Sequence, residues 1–186
     1  GGTNDIFDEK GGWTAAFSET EDHYMGYPLA DGYAVKNQIT LSKEEWQPAL
    51  SSGDLVISVH IPGNEPFTYE ACRDSFILAR EFFAAHYADQ PYKAMVCFSW
   101  LLNPKLHQFL GESSNLLQFQ KFFHLFPIKS TDSGIYAFVF KTERGDVSDL
   151  PETTSLQRKL KRYMQAGGHM QNTGGVILPE YIEQLG

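Results

Sequence analysis

Leu55-Val56-Ile57-Ser58-Val59-His60-Ile61, followed by Pro62-Gly63-Asn64-Glu65-Pro66 and then Phe67-Thr68, is the stretch whose reading decides the fold. The first part is a near-continuous apolar run. Such a run reads as a strand covered on both faces, as in the parallel part of an α/β sheet. The proline- and glycine-containing segment breaks it. From Thr68 a helical pattern extends to His86, with Cys72, Phe76, Ala79 and Phe83 on one face. Thr68 is placed to cap the helix and Glu70 to complement its first turn. This order predicts a helix N-terminus opening beside the C-terminal end of the strand. Free backbone N–H groups and the helix dipole favour anionic ligands there.

Downstream, Ala94 to Leu102 is a second apolar strand. One helix between two such strands predicts a βαβ unit with a right-handed crossover. Asn103-Pro104 opens a short helix with Leu106, Phe109 and Leu110 as its apolar face, and Gly111 stops it. Asn115 with Gln118 resembles another cap. A strand is expected from about Phe123, pairing as an antiparallel hairpin with Ile135 to Phe140 across the turn at 129–134. Thr154-Ser155-Leu156-Gln157 is a capping box that opens a helix to about Ala166, ended by Gly167-Gly168. The remaining tail is Gly-rich and then weakly apolar.

Upstream, Trp13 to Ser18 and His23 to Tyr27 read as a hairpin, and Asp31-Gly32 as a turn. Ser42-Lys43-Glu44-Glu45 resembles a capping box and predicts a short helix carrying Trp46, Ala49 and Leu50. The whole reads as one domain: an α/β chain with an open mixed sheet and helices on both faces.

Composition narrows the function. The net charge is −8 over 186 residues, which argues against nucleic acid or an anionic membrane surface as the partner. No run is long enough to span a membrane. The two cysteines, Cys72 and Cys97, lie on apolar faces and fit buried thiols in a reducing, cytoplasmic setting. The six histidines show no ligand spacing with carboxylates, so no metal is expected. The chain begins Gly1-Gly2 without an initiator Met, and it is expected to be part of a longer protein.

Five segments carry a resemblance. They are Gly11-Gly12-Trp13-Thr14, Ser58-Val59-His60-Ile61-Pro62, Ser99-Trp100-Leu101-Leu102-Asn103-Pro104, Ser114-Asn115 through Phe119-Gln120, and Thr154 through Gly167-Gly168-His169. With the element order, they resemble the GNAT-like C-terminal domain of a bacterial acyltransferase-like family, in which a helical N-terminal domain normally precedes it. The resemblance implies a GNAT-like acyl-CoA N-acyltransferase fold. It also implies acetyl-CoA or another acyl-CoA as co-substrate and a small-molecule amine as acceptor. In that fold the loop after the central strand holds the CoA pyrophosphate, which maps here onto Ile61, Pro62, Gly63 and Asn64. An Asn that begins a helix after the next strand maps onto Asn103. The usual Arg/Gln-x-x-Gly-x-Gly/Ala pattern is absent from this loop, and Phe109 or Leu110 stands where a Tyr acid is found. A non-catalytic ligand-sensing or interaction module is therefore the alternative.

The residues also suggest roles. His60, at the end of the first apolar strand, has an imidazole that titrates near neutral pH and is placed to deprotonate an amine. Ser99, near the end of the neighbouring strand, offers a hydroxyl to a departing thiolate. Cys97 with His60 would make a thiol nucleophile, a third reading. The basic cluster Arg158-Lys159-Leu160-Lys161-Arg162 reads as a solvated helix face or as a phosphate contact.

Overall fold

The computed structural model describes residues 13–63 and 67–185. The elements run β1 (Ser18–Glu19), β2 (His23–Gly26), β3 (Leu29–Ala30), β4 (Tyr33–Ala34), β5 (Ile39–Ser42), β6 (Val56–Ser58), α1 (Tyr69–His86), β7 (Ala94–Ser99), α2 (Asn115–Gln120), β8 (His124–Pro127), α3 (Ser155–Gln165), β9 (Thr173–Ile177) and α4 (Pro179–Glu183). A three-stranded sheet has the order β1-β2-β5. A six-stranded mixed sheet has the order β3-β4-β8-β9-β7-β6.

The βαβ unit forms as read. Strands β6 and β7 are parallel, with Val56 opposite Ala94 and Ser58 opposite Val96. Helix α1 joins them, and the Thr68 hydroxyl accepts from the Ala71 N–H at its start. The hairpin of β1 and β2 also forms, in shorter pieces than expected. The Asp31-Gly32 turn is tight, and both residues take positive φ, 50° and 79°.

Several expectations are corrected. Strand β6 is shorter than Leu55–Ile61, and it is not covered on both faces. It lies at the sheet edge, and Val56 is 41% exposed. The helix expected after Ser42 is absent. Residues Ile39–Ser42 instead pair with β2, and a single turn follows in which the Ser42 carbonyl accepts from Glu45 and Trp46. Pro48 stops that turn from growing, and Trp46 stays exposed. The segment Ile135–Phe140 is a π-helix, not a hairpin strand. Five residues apart, Ile135 and Phe140 come to one side of this wide helix and are both buried with Leu160 and Met164. The positions beside β8 are taken by β4 and by β9, which comes from the tail.

Strand β9 is therefore central although it is last in the chain. It runs antiparallel to both β7 and β8, with Ser99 opposite Thr173 and Pro127 opposite Thr173. Its glycines permit this. A Cβ on Gly175 would lie 2.8 Å from Leu102 and Phe123 side-chain atoms, so large rings pack directly on the backbone.

Alternation along the strands sorts the sheet faces. Ile57, Met95, Cys97, Leu125 and Ile177 join Phe76 of α1, Phe119 of α2 and Ile182 of α4 in one core. A second cluster unites Leu106, Ile135, Tyr136 and Phe140 with Leu160 and Met164 of α3. The parallel arrangement of β6 and β7 brings their C-terminal ends together, and the antiparallel β9 brings its N-terminal end to the same place.

Candidate functional site

A cavity of about 290 Å³ opens beside the end of β6. Val59, His60, Ile61 and Pro62 supply one wall, and Ala71, Cys72, Ser75 and Phe76 of α1 supply another. Phe67 and Phe119 complete it. The Val59 N–H still bonds the Val96 carbonyl at 2.8 Å, so the chain leaves the sheet only after that residue. His60 to Pro62 thereby diverge from β7, and the space between them and α1 stays open. Ring contacts hold the far wall: Phe67 and Phe119 centroids lie 4.9 Å apart, and Phe76 meets Phe122 edge-on at 5.2 Å. The result is an apolar cleft against the first turns of a helix, the kind of site that takes a ligand with a charged head and an apolar tail.

The structure brings three of the expected site residues, His60, Ile61 and Pro62, to this cavity. Gly63 follows them directly, and Asn64 lies outside the described residues. His60 is exposed, and its Nε2 stands 3.3 Å from the Ser58 hydroxyl. Ser99 and Asn103 are not among the cavity residues. Ser99 caps the 3₁₀ turn at Trp100–Leu102, its hydroxyl accepting from the Leu101 N–H at 3.2 Å. Asn103 is buried, and both ends of its amide are engaged. Its Oδ1 accepts from the Lys105 N–H at 2.9 Å, and its Nδ2 donates to the Gln171 carbonyl at 2.8 Å. Asn103 thus ties the turn after β7 to the chain entering β9.

The thiol nucleophile is overturned. Cys97 is buried on the sheet, and burial pushes its thiol up to about 11. The thiolate, which is the reactive form, is scarce at neutral pH. The basic cluster is also largely engaged. Lys159 donates to the Phe109 carbonyl at 2.6 Å, Lys161 to the Leu150 carbonyl at 2.8 Å, and Arg158 to the Glu152 carbonyl at 2.9 Å. Lys161 also pairs with Glu152 at 2.9 Å. These cations hold carbonyls of neighbouring segments.

Ala71, Cys72, Ser75, Phe76 and Phe119 were not expected in a site. The only sequence signal for Cys72 and Phe76 was the apolar face of α1, which reads equally as core. Phe119 reaches the cavity through a long-range contact that no local pattern shows.

Among curated proteins no match is found. The fold matches solved structures of acyltransferases. One, an acyltransferase in complex with decanoyl-CoA, is 26% identical with a TM-score of 0.62, over 88% of this chain and 46% of that one. A second, an acyltransferase mutant in complex with octanoyl-CoA, is 24% identical with a TM-score of 0.60, over 88% and 47%. A third, in complex with decanoyl-CoA and teicoplanin, is 23% identical with a TM-score of 0.60, over 87% and 46%. The chain thus spans less than half the length of these structures. Residues 16–177 match the GNAT-like C-terminal domain, most of the chain, and the chain belongs to that family.

Proposed function

We propose that this chain carries the acyl-CoA site of an acyltransferase that moves an acyl group to a small-molecule amine. The observation that carries the reading is the cavity between the diverging end of β6 and the N-terminal turns of α1. Its apolar lining suits an acyl or pantetheine chain, and the N-terminus of α1 suits a phosphate. The likeness to an acyltransferase solved with decanoyl-CoA supports a medium-chain acyl donor as well as acetyl-CoA. The acceptor amine attacks the thioester carbonyl, and holding both reactants at one sheet end supplies much of the rate. In the simplest form of this reading, His60 or a water takes the proton, and Ser99 offers a hydroxyl to the thiolate. Ile61, Pro62, Gly63 and Asn64 are the loop proposed to hold the CoA, and Asn103 is proposed as a further contact to it. In a longer chain, a preceding helical domain would be the natural partner of this half.

The test is a thermal-stability titration with acetyl-CoA, octanoyl-CoA and decanoyl-CoA. A ligand bound only by the folded state adds about 2.7 kcal/mol at one hundred times its Kd. A saturable shift that Ala71→Trp removes by filling the cavity supports the reading. A wild-type chain whose stability is unmoved by all three at millimolar concentration rejects it.

One feature of the loop favours a second reading, binding without turnover. Pro62 has no N–H to offer a phosphate. A stability shift without thioester loss in any acceptor mixture would select this reading.

A further inference from the structure

The motif Gly167-Gly168-His169 is built to present one side chain. Gly167 ends α3 with φ +86°, a conformation that favours glycine. Gly168 lies against the Tyr163 ring, where a Cβ would come within 2.3 Å of Cζ. Three of the next four residues are then pinned by their carbonyls. Lys105 Nζ donates to His169 O at 3.1 Å, Asn103 Nδ2 to Gln171 O at 2.8 Å, and Ser130 Oγ to Asn172 O at 2.9 Å.

Beside His169 stands Asp132. Its carboxyl is 5% exposed, and its Oδ1 has no hydrogen-bond partner. An ionised carboxylate is costly to bury unless a charge or donor answers it. The His169 Nδ1 lies 3.6 Å from Asp132 Oδ2, in ion-pair range, and Arg144 Nη1 lies 3.7 Å from Oδ1. The His169 side chain keeps 27% of its surface exposed, so a carboxylate sits behind one ring nitrogen while the ring still meets solvent. Thr173, four residues on, pairs with Ser99 at the C-terminal end of β7. Strand β9, which His169 precedes by four residues, thus enters the sheet at the end where β6 and β7 finish, two strands from β6 or roughly 10 Å sideways.

We propose that His169 is the base that deprotonates the acceptor, with Asp132 as the residue that positions it. The inference rests on the acyl-transfer reading of this sheet end. The acceptor nitrogen attacks the thioester carbonyl carbon and its proton passes to His169 Nε2 as the C–N bond forms. The C–S bond breaks, and the imidazolium returns the proton to the CoA sulfur, leaving an amide and free CoA thiol. His60 is exposed and its Nε2 meets the Ser58 hydroxyl, and among the described residues no carboxylate pairs with it. The charged and titratable groups around the pair are Arg144, Lys105, Tyr136 and Tyr163.

The experiment measures octanoyl-CoA binding and loss of its thioester absorbance, with water and then ethanolamine as acceptors, from pH 5.5 to 9. The wild type, His169→Gln, Asp132→Asn and His60→Gln are compared in the same chain. The expected result is a loss of at least about 10²-fold in kcat for His169→Gln with octanoyl-CoA affinity unchanged. Asp132→Asn lowers kcat less and moves the acid limb of its pH profile to lower pH, because the imidazolium loses its counter-charge. Asp132→Glu restores part of both. Turnover that survives His169→Gln overturns the proposal, as does a wild type that binds octanoyl-CoA and turns over none of it. Absence of binding in the wild type instead rejects the acyl-CoA reading on which it stands.

Discussion

Gln120 donates from its buried amide to the Leu101 carbonyl at 2.8 Å and to the Asn103 carbonyl at 3.1 Å. One side chain from the end of α2 thus satisfies two carbonyls in the turn that follows β7. That turn connects the strand beside the cavity to the residues clamping 169–172. Replacing Gln120 with Leu would leave the Leu101 carbonyl buried without a donor. A cost of about 1–3 kcal/mol is expected, read as a lower urea midpoint. A midpoint equal to the wild type would show that water replaces the amide.

The cysteines should differ in reactivity. Burial raises both thiols, and Cys97 is the more enclosed of the two. Iodoacetamide at pH 8 should modify Cys72 slowly and leave Cys97 intact in the folded protein, as seen by peptide mass mapping. Because Cys72 lines the cavity, saturating octanoyl-CoA should slow its modification further. Equal labelling of both residues would contradict the packing described.

Gly175 tests the central place of β9. Its missing side chain leaves room for Leu102 and for Phe123, whose Cβ would stand 3.0 Å from an added methyl. An atom so near the Phe123 backbone has little freedom to move aside. Gly175→Ala should cost about 1–3 kcal/mol through overpacking, measured by chemical denaturation. Gly111→Ala, with nothing within 4 Å of the added methyl, is the comparison and should lie within about 0.5 kcal/mol of wild type.

Acid should weaken the α3 end of the molecule. The Lys161 ammonium bonded to Glu152 holds that carboxyl below its ordinary value, and bonds from Ser148 do the same for Asp146. A carboxyl whose folded value is depressed stabilises the protein fully above its unfolded value and loses that contribution as the pH falls through the folded one. Stability should therefore decline as the pH drops below the ordinary carboxylate range near 4. Glu152→Gln should reduce the steepness of that decline in a pH series of thermal melts. Glu152 is exposed, so the effect is small and fades in high salt.

Much was legible from the residues alone because it depends on near neighbours in the chain. Thr68 and Thr154 cap helices by bonding N–H groups three residues on, and Asp31-Gly32 makes its turn unaided. The apolar runs at 55–61 and 94–102 with a helix between them were enough for the parallel pair. His60, Ile61 and Pro62 could be placed at the end of that pair by counting, and the structure puts them at the cavity. What only the tertiary structure decided are the long-range pairings. The tail strand Thr173–Ile177 enters the middle of the sheet because Gly174 and Gly175 leave space for rings supplied by Phe123 and Phe126, and that entry excludes Ile135–Phe140 from pairing there. Ile135, Tyr136 and Phe140 are buried from a π-helix instead. The approach of Asp132 to His169 likewise depends on two segments far apart in sequence. Local patterns record backbone propensity and the period of burial, but they carry no information on which distant segment fills the neighbouring space.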